Sequence, residues 1–193
     1  MAVTLNCGPK NVYFMMQRIH ATIKKPQIGL FQNILKEGGL YAVKDFMVAE
    51  SNPRYKTTPC IYKIIFVQRT RVVEIFDISF PYTMFEFKSF DQLIDAQTVD
   101  ESTLIDIIGR LACKYSSQHK EIQGRQSKLM DIILEDLQGL RLPCTLWGDY
   151  VDELTDYLSI VNDEQPVIVL LQMCRAKKFG VVRVENTFYV TKR

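Results

Sequence analysis

Aromatic side chains that stand among lysines and arginines are the residues of this sequence best suited to contacting a ligand. Flat rings can stack on nucleobases while neighbouring cations contact phosphates, so this mixture is typical of single-stranded nucleic-acid binding. Two segments, RAKKFG and NPRYK, show the mixture. Their aromatic and basic residues are Arg175, Lys177, Lys178 and Phe179 in the first segment, and Arg54, Tyr55 and Lys56 in the second.

The only tryptophan, Trp147, lies where a strand-like run turns into a helix-like run, in LPCTLWGDYVDEL. Alternation places the apolar Leu142, Cys144 and Leu146 on one face of the strand. Thr145 and Trp147 fall on the opposite face. Two interpretations follow: the ring packs against the helix as part of the core, or it faces outward so that a ligand can stack on it.

Further basic residues flank the strand-like IHATI segment and occupy the polar segment SSQHKEIQGRQ, which predicts a loop. They are Arg18, Lys24, Lys25, Lys114, His119, Lys120 and Arg125. Lys114, His119, Lys120 and Arg125 belong to a connection between two predicted strands, and Arg18, Lys24 and Lys25 flank IHATI, so both groups are candidate phosphate contacts. A solvated charged face is the alternative interpretation.

The net charge of +2 is unevenly distributed along the chain. Residues 1–60 and 166–193 each carry a formal charge of +5, whereas residues 61–110 carry −3 and residues 111–165 carry −5. Clustered cations on a nearly neutral protein favour one groove for a polyanion over general coating of nucleic acid.

Other kinds of chemistry lack their characteristic residues. Neither of the two histidines accompanies a motif such as G-x-S-x-G, and G-x-x-x-x-G-K-[ST] is absent, so we predict that the chain is not an enzyme. The five cysteines form no C-x-x-C pair, which argues against zinc and for an intracellular compartment. The sequence has no pattern of a membrane helix or a secretion signal. We expect no cofactor, no metal, no membrane partner and no small-molecule substrate.

The elements that must position these residues repeat along the chain. STLIDIIGRLACKY, SKLMDIILEDLQG and LRLPCTLWG predict strands, VDELTDYLSIV predicts a helix, and PVIVLLQMCRAKKF and GVVRVENTFYVTK predict two more strands. This is the element order of a five-stranded OB barrel. In the first half, IHATI, a helix over Pro26–Glu37 and LYAVKDFMV predict the same passage from the third strand to the fourth, followed by the strand-like IYKIIFVQ and VVEIFDI.

We therefore predict an all-β protein with short helices, built as two tandem OB-fold barrels. Residues 1–17 leave room for one strand before IHATI, so the first barrel is expected to lack part of its N-terminal strands. The expected division is a first OB fold over residues 1–86, a linker over residues 87–102 and a second OB fold over residues 103–193.

Several stretches carry a resemblance to a known family: IHATI with a helix that ends in KEGGLY, LIDIIGRL, CTLWGDYVDEL, VIVLLQMCRAKKFG and VRVENTFYVTK. In these stretches the chain resembles the tandem DNA-binding OB domains of the large subunit of replication protein A, in the diverged form abundant in plants. The resemblance places the family's stacking tryptophan on Trp147, its stacking phenylalanine on Phe179 and a nearby basic residue on Arg175. In the first barrel it places stacking positions on Tyr55 and on Lys24, which is not aromatic.

This resemblance implies binding of single-stranded DNA with little sequence preference, in DNA replication, repair or recombination, and a nuclear location. Other replication protein A subunits are candidate partners. The chain resembles a fragment or a compact paralogue, because it stops at the fifth strand of the second barrel. Two alternatives stay open: a protein interaction or assembly module whose groove is vestigial, and an RNA-binding OB protein.

Overall fold

The computed structural model describes residues 2–5, 18–36, 38–80, 85–95, 99–122, 124–161 and 165–187. The chain forms two compact units, Met1–Met84 and Phe85–Arg193. The sequence expectations for residues 6–17, and for the last predicted strand beyond residue 187, lie outside the described residues.

The described part of the first unit contains six strands and one short helix. They are β1 (Ala2–Leu5), β2 (His20–Ile23), a 3-10 turn (Lys25–Gln27) that leads into α1 (Ile28–Phe31), β3 (Leu40–Lys44), β4 (Met47–Glu50), β5 (Tyr62–Phe66) and β6 (Arg71–Glu74). The strands form two three-stranded sheets, in the orders β1-β3-β6 and β2-β5-β4. Among the described residues these two sheets are not paired with each other, so the described strands of the first unit do not form a closed barrel.

The helix expected over Pro26–Glu37 is wrong beyond Phe31, because residues 32–34 form a turn. Of the predicted apolar stripe, Phe31 is buried, whereas Ile28 and Ile34 are 42% and 41% exposed. Only a short part of the predicted apolar stripe therefore packs against the core. Gly29 further weakens the helix, since glycine is a poor helix former.

The segment LYAVKDFMV, expected as one strand, forms β3 and β4 with a bend between them. The bend lies at Asp45, whose φ of 61° is in the left-handed region. The Asp45 carbonyl accepts a hydrogen bond from Thr70 Oγ1 at 3.1 Å, and its carboxylate lies 3.4 Å from Arg71 Nε. The chain thereby passes from one sheet to the other.

The first unit has a small aromatic core of Phe31, Tyr41, Val43 and Phe66. The rings of Phe31 and Phe66 meet edge to face, with centroids 5.2 Å apart. The buried Tyr41 hydroxyl accepts a hydrogen bond from the Lys36 backbone at 2.8 Å. A Cβ at Gly39 would lie 2.3 Å from that hydroxyl, so the KEGGLY segment needs glycine at this position.

The second unit contains six further strands and two helices in its described part. They are α2 (Phe90–Ile94), β7 (Leu104–Lys114), β8 (Gln118–Ile122), β9 (Arg125–Glu135), β10 (Arg141–Trp147), α3 (Asp149–Ile160), β11 (Ile168–Phe179) and β12 (Val181–Glu185). The strand order β10-β12-β11-β7-β9 closes on itself, because β9 also pairs with β10. Five strands form a closed barrel, with α3 between its third and fourth strands, which is the OB order.

Alternation along these strands fills the barrel interior. Leu142, Cys144 and Leu146 of β10 are buried, as the sequence predicted, and meet apolar residues from every other barrel strand. The inward side chains from β12 are Val182 and Val184. The chain is therefore mostly β with few short helices, and its second unit carries the larger core.

The segment SSQHKEIQGRQ, expected as a loop, contains a strand, so that expectation is wrong for β8. Gln118–Ile122 pairs antiparallel with the beginning of β9, and Gly124 turns the chain with a φ of 75°. The ribbon made by β8 and Arg125–Leu129 extends the β7–β9 connection. Its polar residues conceal the strand period, because both of its faces are solvated.

The described part of segment 87–102, suggested by the sequence as a linker, packs into the second unit. Phe90, Leu93 and Val99 belong to the core of the barrel. A Cβ at Gly109 of β7 would lie 2.9 Å from the Phe90 ring, so the close packing of α2 depends on glycine there. The polar composition of the segment concealed these few buried side chains.

A buried carboxylate, Asp106 on β7, fixes two pieces of backbone. It accepts hydrogen bonds from the backbone nitrogens of Glu86 and Met173, both at 2.9 Å. Met173 has a φ of 53° and lies in an irregularity of β11 between Leu171 and Cys174. Asp106 therefore holds both the entry segment and this strained point of β11.

Candidate nucleic-acid interface

The candidate interface is the outward side of four neighbouring strands of the second barrel, named here the outer face. Strand alternation places on it Leu129 and Asp131 of β9, Thr145 and Trp147 of β10, Arg183 and Glu185 of β12, and Arg175 and Lys177 of β11. The inward neighbours of these residues form the core, so the outer face is positioned by the same period that fills the barrel.

Trp147 lies at the end of β10, on the outer face and half-buried. Its backbone nitrogen donates to Asn186 Oδ1 at 2.7 Å, and Asn186 Nδ2 donates to the Trp147 carbonyl at 3.3 Å. Gly148 then turns the chain into α3 with a φ of 66°. The tryptophan backbone is firmly held, and part of its side chain reaches solvent.

Phe179 ends β11 at the turn through Gly180, but its side chain lies outside the described part of the chain. Its backbone is opposite Val181 at the start of β12. Trp147 is hydrogen-bonded to Asn186, which follows Val181 by five residues. Five residues of extended strand span about 17 Å. The two predicted stacking positions therefore belong to opposite ends of β12.

The basic residues of the outer face are paired with carboxylates. Arg183 Nη1 lies 2.6 Å from Asp131 Oδ1, which also accepts a hydrogen bond from Thr145 Oγ1 at 2.6 Å. Lys177 Nζ lies 2.5 Å from Glu185 Oε1. Their positive charge is largely neutralised within the face.

Arg175 contributes less charge to the outer face than the sequence implied. Its Nη2 lies 3.8 Å from Glu101 Oε2. The other Glu101 oxygen accepts a hydrogen bond from the Lys178 backbone at 3.0 Å, while the Lys178 side chain is exposed at the strand end. Glu101 therefore links the segment before β7 to the C-terminal end of β11.

The basic residues of the ribbon and its approaches differ from those of the outer face. Lys114, His119, Lys120 and Arg125 are all exposed, and none of them forms an ion pair with another residue that the structure describes. They remain available to phosphate groups.

In the first unit, the predicted residues lie around β2 and the segment after β4. The Arg54 guanidinium lies 5.4 Å from the centre of the half-buried Tyr55 ring, a cation–π contact. Lys24, Lys25 and Lys56 are exposed and form no ion pair with described residues.

Two further residues of the first unit bear on this region. Arg18 is half-buried, and its carbonyl accepts a hydrogen bond from the buried Thr58 hydroxyl. Lys56 helps to line a small pocket together with His20. The structure thus brings the segment before β2 and the segment after β4 together.

The described residues give little support to catalysis by a cysteine nucleophile or to metal binding. Burial raises the pKa of the Cys174 thiol to about 12, and burial also raises the pKa of Cys144, so neither is an activated nucleophile. No group of His, Cys, Asp and Glu side chains that could hold a metal ion occurs among them. None of the helices described is long and apolar enough to span a membrane.

Sequence reasoning missed three charged members of the outer face, namely Asp131, Arg183 and Glu185. Period-2 alternation in SKLMDIILE and VVRVE was sufficient to place Asp131 and Arg183 outward. Their pairing depended on the register between β9, β10 and β12, which no single strand reveals.

Comparison with known proteins finds a matching family model and a similar curated relative. A family model described as domain of unknown function DUF223 matches residues 15–96. Replication factor A protein 1 of Schizosaccharomyces pombe is 28% identical over 133 residues, which are 67% of this chain. This chain therefore spans about a fifth of that relative, 21% of its length.

A chain in the structure of a replication protein A heterotrimer bound to single-stranded DNA aligns with 89% of this chain. The TM-score is 0.52 and the sequence identity is 18%, and the alignment covers 39% of the other chain. At this identity the likeness concerns the fold. It supports the prediction of OB-fold architecture for nearly the whole chain.

Proposed function

We propose that this chain binds single-stranded DNA with little sequence preference, by stacking of bases on aromatic rings and by contacts of Lys and Arg with phosphates. The observation that carries the proposal is the position of Trp147. This ring is half-buried on the outer face of a closed barrel, at the end of β10. The likeness to a replication protein A heterotrimer bound to single-stranded DNA adds support.

Candidate contact residues occur in each of the two units. Trp147 is the principal stacking residue, with Phe179 and Tyr55 as further stacking positions. Lys114, Lys120 and Arg125 of the ribbon, and Lys24, Lys25 and Lys56 of the first unit, are the proposed phosphate contacts because their side chains are exposed and form no ion pair with described residues. Arg18, Arg54, Arg175, Lys177 and Lys178 complete the proposed set.

The test is a titration with oligo-dT that follows the fluorescence of Trp147, the only tryptophan. Binding should quench the emission, and raised salt should reverse the quenching, because phosphate contacts release counterions. Absence of quenching and of any anisotropy change on a labelled oligonucleotide would refute the proposal. Competition with a matched RNA distinguishes an RNA-binding protein, since that ligand would then displace the DNA.

Trp147→Ala should weaken oligo-dT binding by about 1–3 kcal/mol, a range taken from alanine substitutions in single-strand-binding proteins of this class. Fluorescence anisotropy of a labelled oligonucleotide measures it, since the variant has no tryptophan. Tyr157→Ala is the matched control, because Tyr157 is an aromatic residue 54% exposed on α3. Equal affinities of the two variants would exclude Trp147 as a stacking residue.

The wider role follows from the same likeness. We propose action in DNA replication, repair or recombination, in the nucleus, with other replication protein A subunits as partners and without catalysis. The plant-type origin, the status as a fragment or compact paralogue, and the division at residues 1–86, 87–102 and 103–193 remain proposals of the sequence analysis.

A second candidate function is a protein interaction module. The outward sides of β7 and β11 expose Ile108, Leu170 and Ile168, which are 42%, 39% and 59% exposed. Ile108 and Leu170 are directly opposite each other in the sheet. If Ile108→Ser abolished capture of another replication protein A subunit while oligo-dT binding was absent in all variants, this candidate would replace the first.

A further inference from the structure

The cations of the second unit fall into two groups with different surroundings. Three cations of the ribbon and its approaches, Lys114, Lys120 and Arg125, are exposed and form no ion pair with described residues, whereas Lys128 of the ribbon is paired with Asp152. Those of the outer face are bound to carboxylates of the same unit. The difference matters for any polyanion, because a paired cation must leave its partner before it can neutralise a phosphate.

The pair of Arg183 and Asp131 occupies the middle of the outer face. Both side chains are partly exposed, 46% for Arg183 and 39% for Asp131. Thr145 Oγ1 donates to the same carboxylate oxygen, and Arg183 Nη1 also lies 3.1 Å from that hydroxyl. The carboxylate thus occupies the position at which a phosphate oxygen would meet the guanidinium.

The pair of Lys177 and Glu185 is less open. The Glu185 side chain is only 15% exposed, whereas that of Lys177 is 41% exposed. If Lys177 moved away to a phosphate, it would leave a poorly solvated carboxylate without its cation, and such a step is unfavourable. Lys177 is therefore held more firmly than Arg183.

We propose that Asp131 and Glu185 are affinity-determining residues that weaken phosphate contacts by the outer face, so that within the second unit the ribbon makes the stronger ones. The outer face then offers its Trp147 ring to bases while its own carboxylates satisfy its cations. This inference rests on the proposed function, since it assigns the parts of the same interface.

The experiment compares oligo-dT binding by Asp131→Asn, Glu185→Gln and the unsubstituted chain at several salt concentrations. Each substitution keeps the side-chain shape and frees one cation. One additional phosphate contact with single-stranded DNA raises the salt slope by about 0.7. The affinity gain of the variant over the unsubstituted chain should therefore be about fivefold larger at 0.1 M salt than at 1 M. Asp156→Asn, an exposed residue of α3 without an ion pair to described residues, is the control for the same change in net charge.

A double-mutant cycle locates the effect. The gain of Asp131→Asn should disappear when the same substitution is made in an Arg183→Ala chain and compared with Arg183→Ala alone, because the freed guanidinium is then absent. A gain that persists in the double variant would show that Asp131 acts through net charge alone and would overturn the proposal.

Elution from a heparin column separates this inference from the proposed function, because heparin is a polyanion without nucleobases. Asp131→Asn should elute at higher salt than Asp156→Asn. If it does so while no variant binds oligo-dT, single-stranded DNA binding fails and the role of the carboxylates stands. If both variants elute together, the role of the carboxylates fails, whatever the DNA result. Should Glu185→Gln unfold, Asp131→Asn still decides, since the Asp131 side chain is more exposed than that of Glu185.

Discussion

The two units differ in whether their described strands close into a barrel and in whether their surface cations are paired with carboxylates. The second unit is a closed five-stranded barrel with a large core, and the cations on its outer face are paired with carboxylates. In the described part of the first unit, two separate three-stranded sheets enclose a small core, and Lys24, Lys25 and Lys56 have no ion pair. The closed sheet and the unpaired cations are therefore separate features, because cations without an ion pair to described residues lie on the first unit and on the ribbon rather than on the outer face of the barrel.

The largest expected effect tests how tightly the second barrel is closed. Cys174 is buried with a pKa of about 12, so roughly one thiol in ten thousand is ionised at pH 8. Maleimide labelling followed by peptide mass spectrometry should modify the exposed Cys113 at least about a thousandfold faster than Cys174. Labelling of Cys174 should require opening of the barrel, because the closed barrel covers the thiol and disfavours its thiolate. Similar rates for both would mean that the barrel opens readily.

The next effect concerns the small core of the first unit. Phe66→Ala should destabilise this unit by about 3–5 kcal/mol, because the fully buried ring leaves a cavity beside Phe31. Limited proteolysis should then cut the first unit while peptides from residues 104–185 stay protected. Phe76→Ala is the control, since that ring is 86% exposed. Simultaneous loss of protection in both units would contradict their independence.

The smallest effect compares the free cations of the two units. Lys120→Ala should lower the salt slope of oligo-dT binding by about 0.7, because one phosphate contact is lost. Lys24→Ala should lower it by the same amount if the open sheets of the first unit also bind. A change for Lys120 alone would restrict the interface to the second unit. Lys36→Ala, an exposed lysine outside the predicted site, provides the control.

Much of the second barrel could be predicted from the sequence because apolar and polar residues alternate along parts of several strands. In LRLPCTLW the period of two placed Leu142, Cys144 and Leu146 inside and Trp147 outside, and the burial of β10 confirms it. The amphipathic α3 and the OB order followed from the same kind of pattern. Trp147 could therefore be identified as a candidate residue from the sequence alone.

The remaining features depended on contacts that a linear pattern does not contain. The β8 strand has exposed residues on both sides, so no apolar period marks it. The bend at Asp45 depends on bonds from Thr70 and Arg71, distant in the chain. The ion pairs of Asp131 and Glu185 require knowledge of register. Sequence reasoning thus identified rings and cations but not the carboxylates that restrain those cations.

The buried carboxylate of Asp106 has a consequence for how the second barrel can be separated from the rest of the chain. It accepts the Glu86 backbone, and α2 inserts Phe90 and Leu93 into the core just downstream. A gene segment cut at residue 103 would discard the amide that satisfies this carboxylate and leave a hole where the Phe90 ring belongs. The smallest transplantable piece that retains these contacts begins at Phe85. A fusion of this barrel to another protein should therefore keep the segment from Phe85 through α2.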